Sequence, residues 1–255
     1  MSPTSEPDLA AYCLMLGDDA LIMSHRLQEW CTMAPELEDE VALANIALDL
    51  LGQARVLLTR AGSADGSGRS EDYYAYFRGE DEFRNVWLAE LRCTDFGQLT
   101  AALLVFATWR LAVLQQLTGS SDDVLAGLAA KAVKEVTYHR DYAARWVIRL
   151  GDGTAFSRER MLTGLAHVWP YVPELFVPHE IEQRLAAAGI GADPAGTRAE
   201  FDAVLAQVCA AATLEVPESV PSGPSPGRDG VHTKEMGPLL AELQGVARDH
   251  RDAAW

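Results

Sequence analysis

The chain has 255 residues, 49% hydrophobic and 23% charged, which is enough to bury a full core and too mixed for a disordered or fibrous protein. Its 21 Lys and Arg face 37 Asp and Glu, giving a formal charge of -16, and no basic run interrupts that field, which argues against nucleic-acid and polybasic membrane partners. The most strongly apolar run, 101–105, is far shorter than the roughly 20 residues of a membrane span, and the acids within 2–8 oppose a signal peptide, so a cytoplasmic protein is expected.

Helical periodicity dominates the first 150 residues. Tyr12, Met15, Leu16, Ile22, Met23, Leu27 and Trp30 recur at three- and four-residue steps and predict a helix over about 7–33. Pro35 and the acids Glu36, Glu38, Asp39 and Glu40 suit the first turn of a second helix, which ends near Ala61-Gly62. A Gly- and Ser-rich break over 62–70 follows, then a mixed aromatic and charged connection over 71–92 with one or two short helices. Thr94 or Asp95 can cap a third long helix over 96–117, and Ser121 or Asp122 a fourth over 123–150. Helices opening at Ser157, at His179 and after Asp193-Pro194 come next, then a Pro- and Gly-rich extended loop over 217–230 and a final amphipathic helix from Thr233 to about His250. The expectation is an all-α, single ferritin-like domain: a four-helix bundle with one crossover connection over about 7–150, and a C-terminal helical extension over about 155–255. Cys13, Cys31, Cys93 and Cys209 form no CxxC pair and read as small core residues.

Such a bundle raises one chemical question. Ferritin-like di-iron proteins place a carboxylate on each of two helices and a Glu-x-x-His pair on each of the other two, because hard carboxylates bridge the cations and imidazoles complete the coordination. Here no His lies between positions 26 and 138, and in the second helix Asp49-Leu50-Leu51-Gly52 has glycine where a ligand belongs. The third helix carries no Asp or Glu from Phe96 through Ser121. In the fourth, Glu135-Val136-Thr137-Tyr138 has tyrosine in the His slot, and His139 comes one residue late, rotated by about 100 degrees. Glu135 and one of Asp18 or Asp19 could remain as ligands, too few to hold two irons. Asp18, Asp49, Glu135, Tyr138 and His139 are therefore expected to form a vestigial polar cluster in the bundle core with Arg26 or Arg55, with metal binding as the alternative. There is no GxGxxG, no GxxxxGK[ST] and no GxSxG.

Several runs carry a resemblance: Leu16-Gly17-Asp18-Asp19-Ala20, Ala34-Pro35-Glu36-Leu37-Glu38, the block from Ala42 to Arg55, Phe83-Arg84-Asn85, Lys134-Glu135-Val136, Arg149-Leu150-Gly151-Asp152-Gly153-Thr154 and Gly227-Arg228-Asp229-Gly230-Val231-His232-Thr233. On these the chain resembles the C-subunit family of the multicomponent phenylacetyl-CoA epoxidases, over nearly its whole length. The resemblance implies a ferritin-like fold and a non-catalytic structural subunit with no cofactor of its own. Its partners would be a homologous catalytic A subunit, which carries the di-iron centre that epoxidises the ring of phenylacetyl-CoA, and other members of the complex including a flavin and iron-sulfur reductase. Where the family pattern leads one to expect an Asp after the third-helix Phe, this chain has Phe106-Ala107. Trp30, Leu37, Ala44, Leu48 and Leu51 are expected at the partner interface, or alternatively beneath the C-terminal helices. Two rival readings remain open: a catalytically active di-iron oxygenase subunit, and a stand-alone helical binding protein for a hydrophobic ligand.

Overall fold

The computed structural model describes residues 6–218 and 226–253. It is all-helical, with no strand among the described residues, and divides into two compact units. Among the described residues one unit gathers 6–33, 38–90 and 226–253, and the other 34–37 and 91–218.

In the first unit, α1 (Glu6–Gln28) opens with Glu6 and Asp8 and carries Arg26 in its last turn, matching charge to the helix dipole at both ends. It is buried on nearly every side. Gly17 allows α2 (Leu37–Ala64) to come close, since a Cβ there would stand 3.0 Å from Leu58 Cδ2 and 3.3 Å from Leu57 Cβ. Ser24 Oγ donates to the Ala47 carbonyl at 2.7 Å across the same contact. α2 buries Leu43, Ile46, Leu50, Ala54, Leu57 and Ala61 at three- and four-residue steps. Its opposite face leaves Val41, Leu48 and Val56 at 54, 61 and 40% exposure. Two short helices, α3 (Glu71–Tyr76) and α4 (Trp87–Glu90), occupy the predicted mixed connection. α10 (Met236–Asp249) lies against α3, where Gln244 donates to the carbonyls of Ala75 and Arg78 at 3.0 and 3.2 Å.

The second unit is built around α5 (Phe96–Leu117), apolar all round and buried accordingly. Asp95 caps it by accepting from Gln98 N at 2.9 Å. α6 (Asp123–Gly151), α7 (Ala155–Val168) and α9 (Arg198–Ala211) pack against α5. α6 presents Leu125, Ala129, Ala132, Val136, His139, Ala143 and Val147, a single stripe at steps of three and four. Where α7 crosses α5, a Cβ on Gly164 would stand 2.6 Å from the Gly97 carbonyl, so the crossing requires glycine. α8 (Glu180–Ala187) starts at a reciprocal cap in which His179 Nδ1 accepts from Ile181 N and Glu182 Oε2 accepts from His179 N.

Three sequence expectations need amending. By length and composition two helices, Leu37–Ala64 and Phe96–Leu117, are apolar enough to cross a membrane, although the run 101–105 alone is short. The apolar window of α5 is 94% buried in protein, which accounts for its composition, whereas that of α2 is 44% buried. Cys13 and Cys209 are buried as expected, but Cys31 and Cys93 are half-buried. Of the loop expected over 217–230, residues 219–225 lie outside the described residues, and Pro226–Asp229 form a 3-10 turn.

Candidate functional site

The interior of the first unit holds a buried network of charges centred on α1. Asp18 and Asp19 are both 0% exposed. Neighbours on a helix point about 100 degrees apart, so the two acids take separate partners. Arg78 grips Asp18 with both terminal nitrogens, Nη1 to Oδ2 at 3.0 Å and Nη2 to Oδ1, and Arg84 N donates to Oδ2 at 2.9 Å. Arg228 grips Asp19 in the same two-pronged way, 3.0 Å to each oxygen, and Val86 N adds a bond of 2.8 Å to Oδ1. This fork-on-fork geometry is the strongest pairing available to a carboxylate. Burial pushes the Asp18 carboxyl upward, and the Arg78 guanidinium and the Arg84 amide pull against that push.

The two arginines also satisfy backbone. Arg78 donates to the carbonyls of Tyr74 and Glu82, and its guanidinium lies 4.1 Å from the centroid of the Phe83 ring. Arg228 donates to Met15 O at 3.1 Å and to Arg84 O at 2.8 Å. Arg228 can enter because Gly227 and Gly230 lack side chains. A Cβ at either would stand 2.2 Å from a backbone oxygen, Asn85 O and Asp81 O respectively, and Gly230 has φ of +80 degrees.

A third acid, Glu90, is also 0% exposed and accepts from Asn85 Nδ2, His232 Nδ1 and Thr233 N at 3.0, 2.6 and 2.7 Å. The other ring nitrogen of His232 faces the Phe83 carbonyl at 3.1 Å. Both partners accept, so only the doubly protonated ring makes both bonds. Burial works against that charge, but the bond to Glu90 and its charge, with the Phe83 carbonyl, hold the imidazole above its usual range. Arg26 completes the set by donating to the Glu90 carbonyl at 3.0 and 2.8 Å.

A folded-state His that titrates above its unfolded value of about 6.5 stabilises the fold fully below that pH, and the contribution fades as pH rises through the raised folded value. Thermal melts are expected to show stability falling as pH rises above about 6.5. His232→Gln should flatten that segment of the profile, and an unchanged slope would mean that His232 is not the titrating group.

Chemically, every oxygen of Asp18, Asp19 and Glu90 already has a donor. Guanidinium groups stand where a cation would have to sit. With no acid on α5, these residues do not fit a di-iron centre.

The residues singled out from sequence fall in different places. Asp18 is in the interior, but its partner is Arg78. Arg26 binds the Glu90 carbonyl and Glu29, and Arg55 pairs with Glu71 at the surface. Asp49 is half-buried in the first unit. Glu135, Tyr138 and His139 belong to the second unit, where Glu135 is half-buried and pairs with Lys131 at 3.0 Å, and His139 is buried. Tyr138, expected in the core, is 50% exposed because it lies one residue, about 100 degrees, off the buried stripe of α6. Of the expected interface residues, Trp30 is 5% exposed and sits in the core instead. Leu37 and Leu48 are 70 and 61% exposed, and Ala44 and Leu51 are half-buried. The roles of Arg78, Glu90, Arg228 and His232 emerge only from the structure, since no helical period marks them.

The whole chain, residues 1–255, matches the family described as phenylacetic acid catabolic protein. It is 41% identical over 240 residues, covering 94% of this chain and 96% of the relative, to the C subunit of the 1,2-phenylacetyl-CoA epoxidase of Escherichia coli strain K12.

Proposed function

The chain belongs to the phenylacetic acid catabolic protein family, and from that membership we propose that it is a structural subunit of a phenylacetyl-CoA epoxidase in aerobic phenylacetate breakdown. It pairs with the homologous catalytic A subunit, which carries the di-iron centre, and contributes no metal ligand and no general base of its own. It works in the cytoplasm, and a reductase serves the assembled complex. The observation that carries this reading is the engagement of the α1 acids by Arg78 and Arg228, which commits their oxygens to holding the fold.

The outer face of α2 supports the partner. Val41, Leu48 and Val56, with Leu37 at the helix start, form an apolar stripe in a chain of net charge -16. Exposed apolar stripes of this kind mark protein contacts. Co-expression with the A subunit of the same organism, followed by size-exclusion chromatography, is expected to give a stable heteromer. Leu48→Asp should weaken it about tenfold or more, the equivalent of roughly 1.4 kcal/mol. A chain that elutes alone at micromolar concentration beside a folded A subunit would remove the subunit reading. Two irons per isolated chain, with a carboxylate-bridged spectrum, would restore the rival reading of an active oxygenase.

A further inference from the structure

We propose that His25, Glu29 and Glu242 form a binding site for one divalent transition metal, best suited to zinc, that clips α10 to the end of α1. His25 and Glu29 are four residues apart on the α1 side, so they share a face, and Glu242 reaches them from α10. One ligand atom from each of the three lies within 4.8 Å of the others. Among the described residues this is the group of His, Cys, Asp and Glu side chains that converges in this way.

A second observation points to a ligand. His25 Nε2 is buried and has no hydrogen-bond partner. A buried ring nitrogen without a partner forfeits free energy unless something supplies one, and a metal ion does so.

The donor set fits zinc rather than calcium or magnesium, which favour oxygen alone. Zinc with one imidazole and two carboxylates keeps a fourth position for water. Bonds of about 2.0–2.2 Å place tetrahedral ligand atoms roughly 3.3–3.6 Å apart, so from separations of at most 4.8 Å the exposed Glu242 side chain has to close by no more than about 1.5 Å. Arg26 Nη1 holds Glu29 Oε1 at 2.7 Å, which restrains that carboxylate. Arg26 joins Glu29 to the Glu90 carbonyl, but none of the three ligands belongs to the network around Asp18, Asp19 and Glu90, and the site does not depend on the subunit role.

The full chain, stripped with chelator and dialysed, should be titrated with zinc chloride by calorimetry and with cobalt(II) by visible absorption. One zinc per chain, four-coordinate cobalt bands and a melting temperature raised by zinc are expected. His25→Ala and Glu242→Gln should each weaken binding at least about tenfold, and the surface control Asp202→Asn should leave it unchanged. Glu242 is exposed, so Glu242→Gln keeps the test informative even where His25→Ala fails to fold. No saturable zinc binding, or binding that Glu242→Gln leaves intact, would overturn the site.

Discussion

Arg228→Ala is expected to lower the unfolding free energy by about 3–5 kcal/mol, the usual cost of removing one member of a buried ion pair. The variant leaves Asp19, 0% exposed, with only the Val86 amide for a partner, and removes the bonds that Arg228 gives to Met15 O and Arg84 O. Urea unfolding of the two proteins measures the loss. A double variant, Asp19→Leu with Arg228→Met, separates charge from packing. With neither charge present it should recover much of the deficit, short of about 1–3 kcal/mol for the stranded Val86 N–H. A single variant within about 1 kcal/mol of the parent would mean that the pair contributes nothing to the fold.

Trp109→Ala should cost a similar amount, about 3–5 kcal/mol, for a different reason. Trp109 is 2% exposed at the middle of α5, edge-on to Phe106 with ring centroids 6.0 Å apart. Its Nε1 is buried without a hydrogen-bond partner, so the residue contributes through volume. Trp109→Phe is therefore expected to lose less than Trp109→Ala by chemical denaturation, and equal losses would show that the indole nitrogen matters.

The helices were legible in the sequence wherever local signals set them. α5 over Phe96–Leu117 and α6 from Asp123 are where the caps Asp95 and Asp122 and the apolar period placed them. The first helix stops at Gln28, short of the expected 33, because Trp30 to Met33 close turns instead. The charged network was legible only in part. Asp18 stood out as an acid on an apolar helix, but its Arg78 is 60 residues away and Arg228 is 209 residues from Asp19. Pairings at that separation leave no periodic trace. The stretch 217–230 read as loop because glycine and proline break every pattern, and two of its glycines, Gly227 and Gly230, are what let Arg228 in.

That long separation also sets an order of assembly on the ribosome. The second unit is nearly continuous and can complete itself while the chain is still growing, as domains generally do in sequence order. The first cannot. Its opening helix emerges with Asp19, whose counter-ion Arg228 is translated almost at the end, so that part of the molecule waits as an unfinished intermediate. Stop codons placed before residue 228 should therefore yield a folded second half joined to an aggregation-prone first.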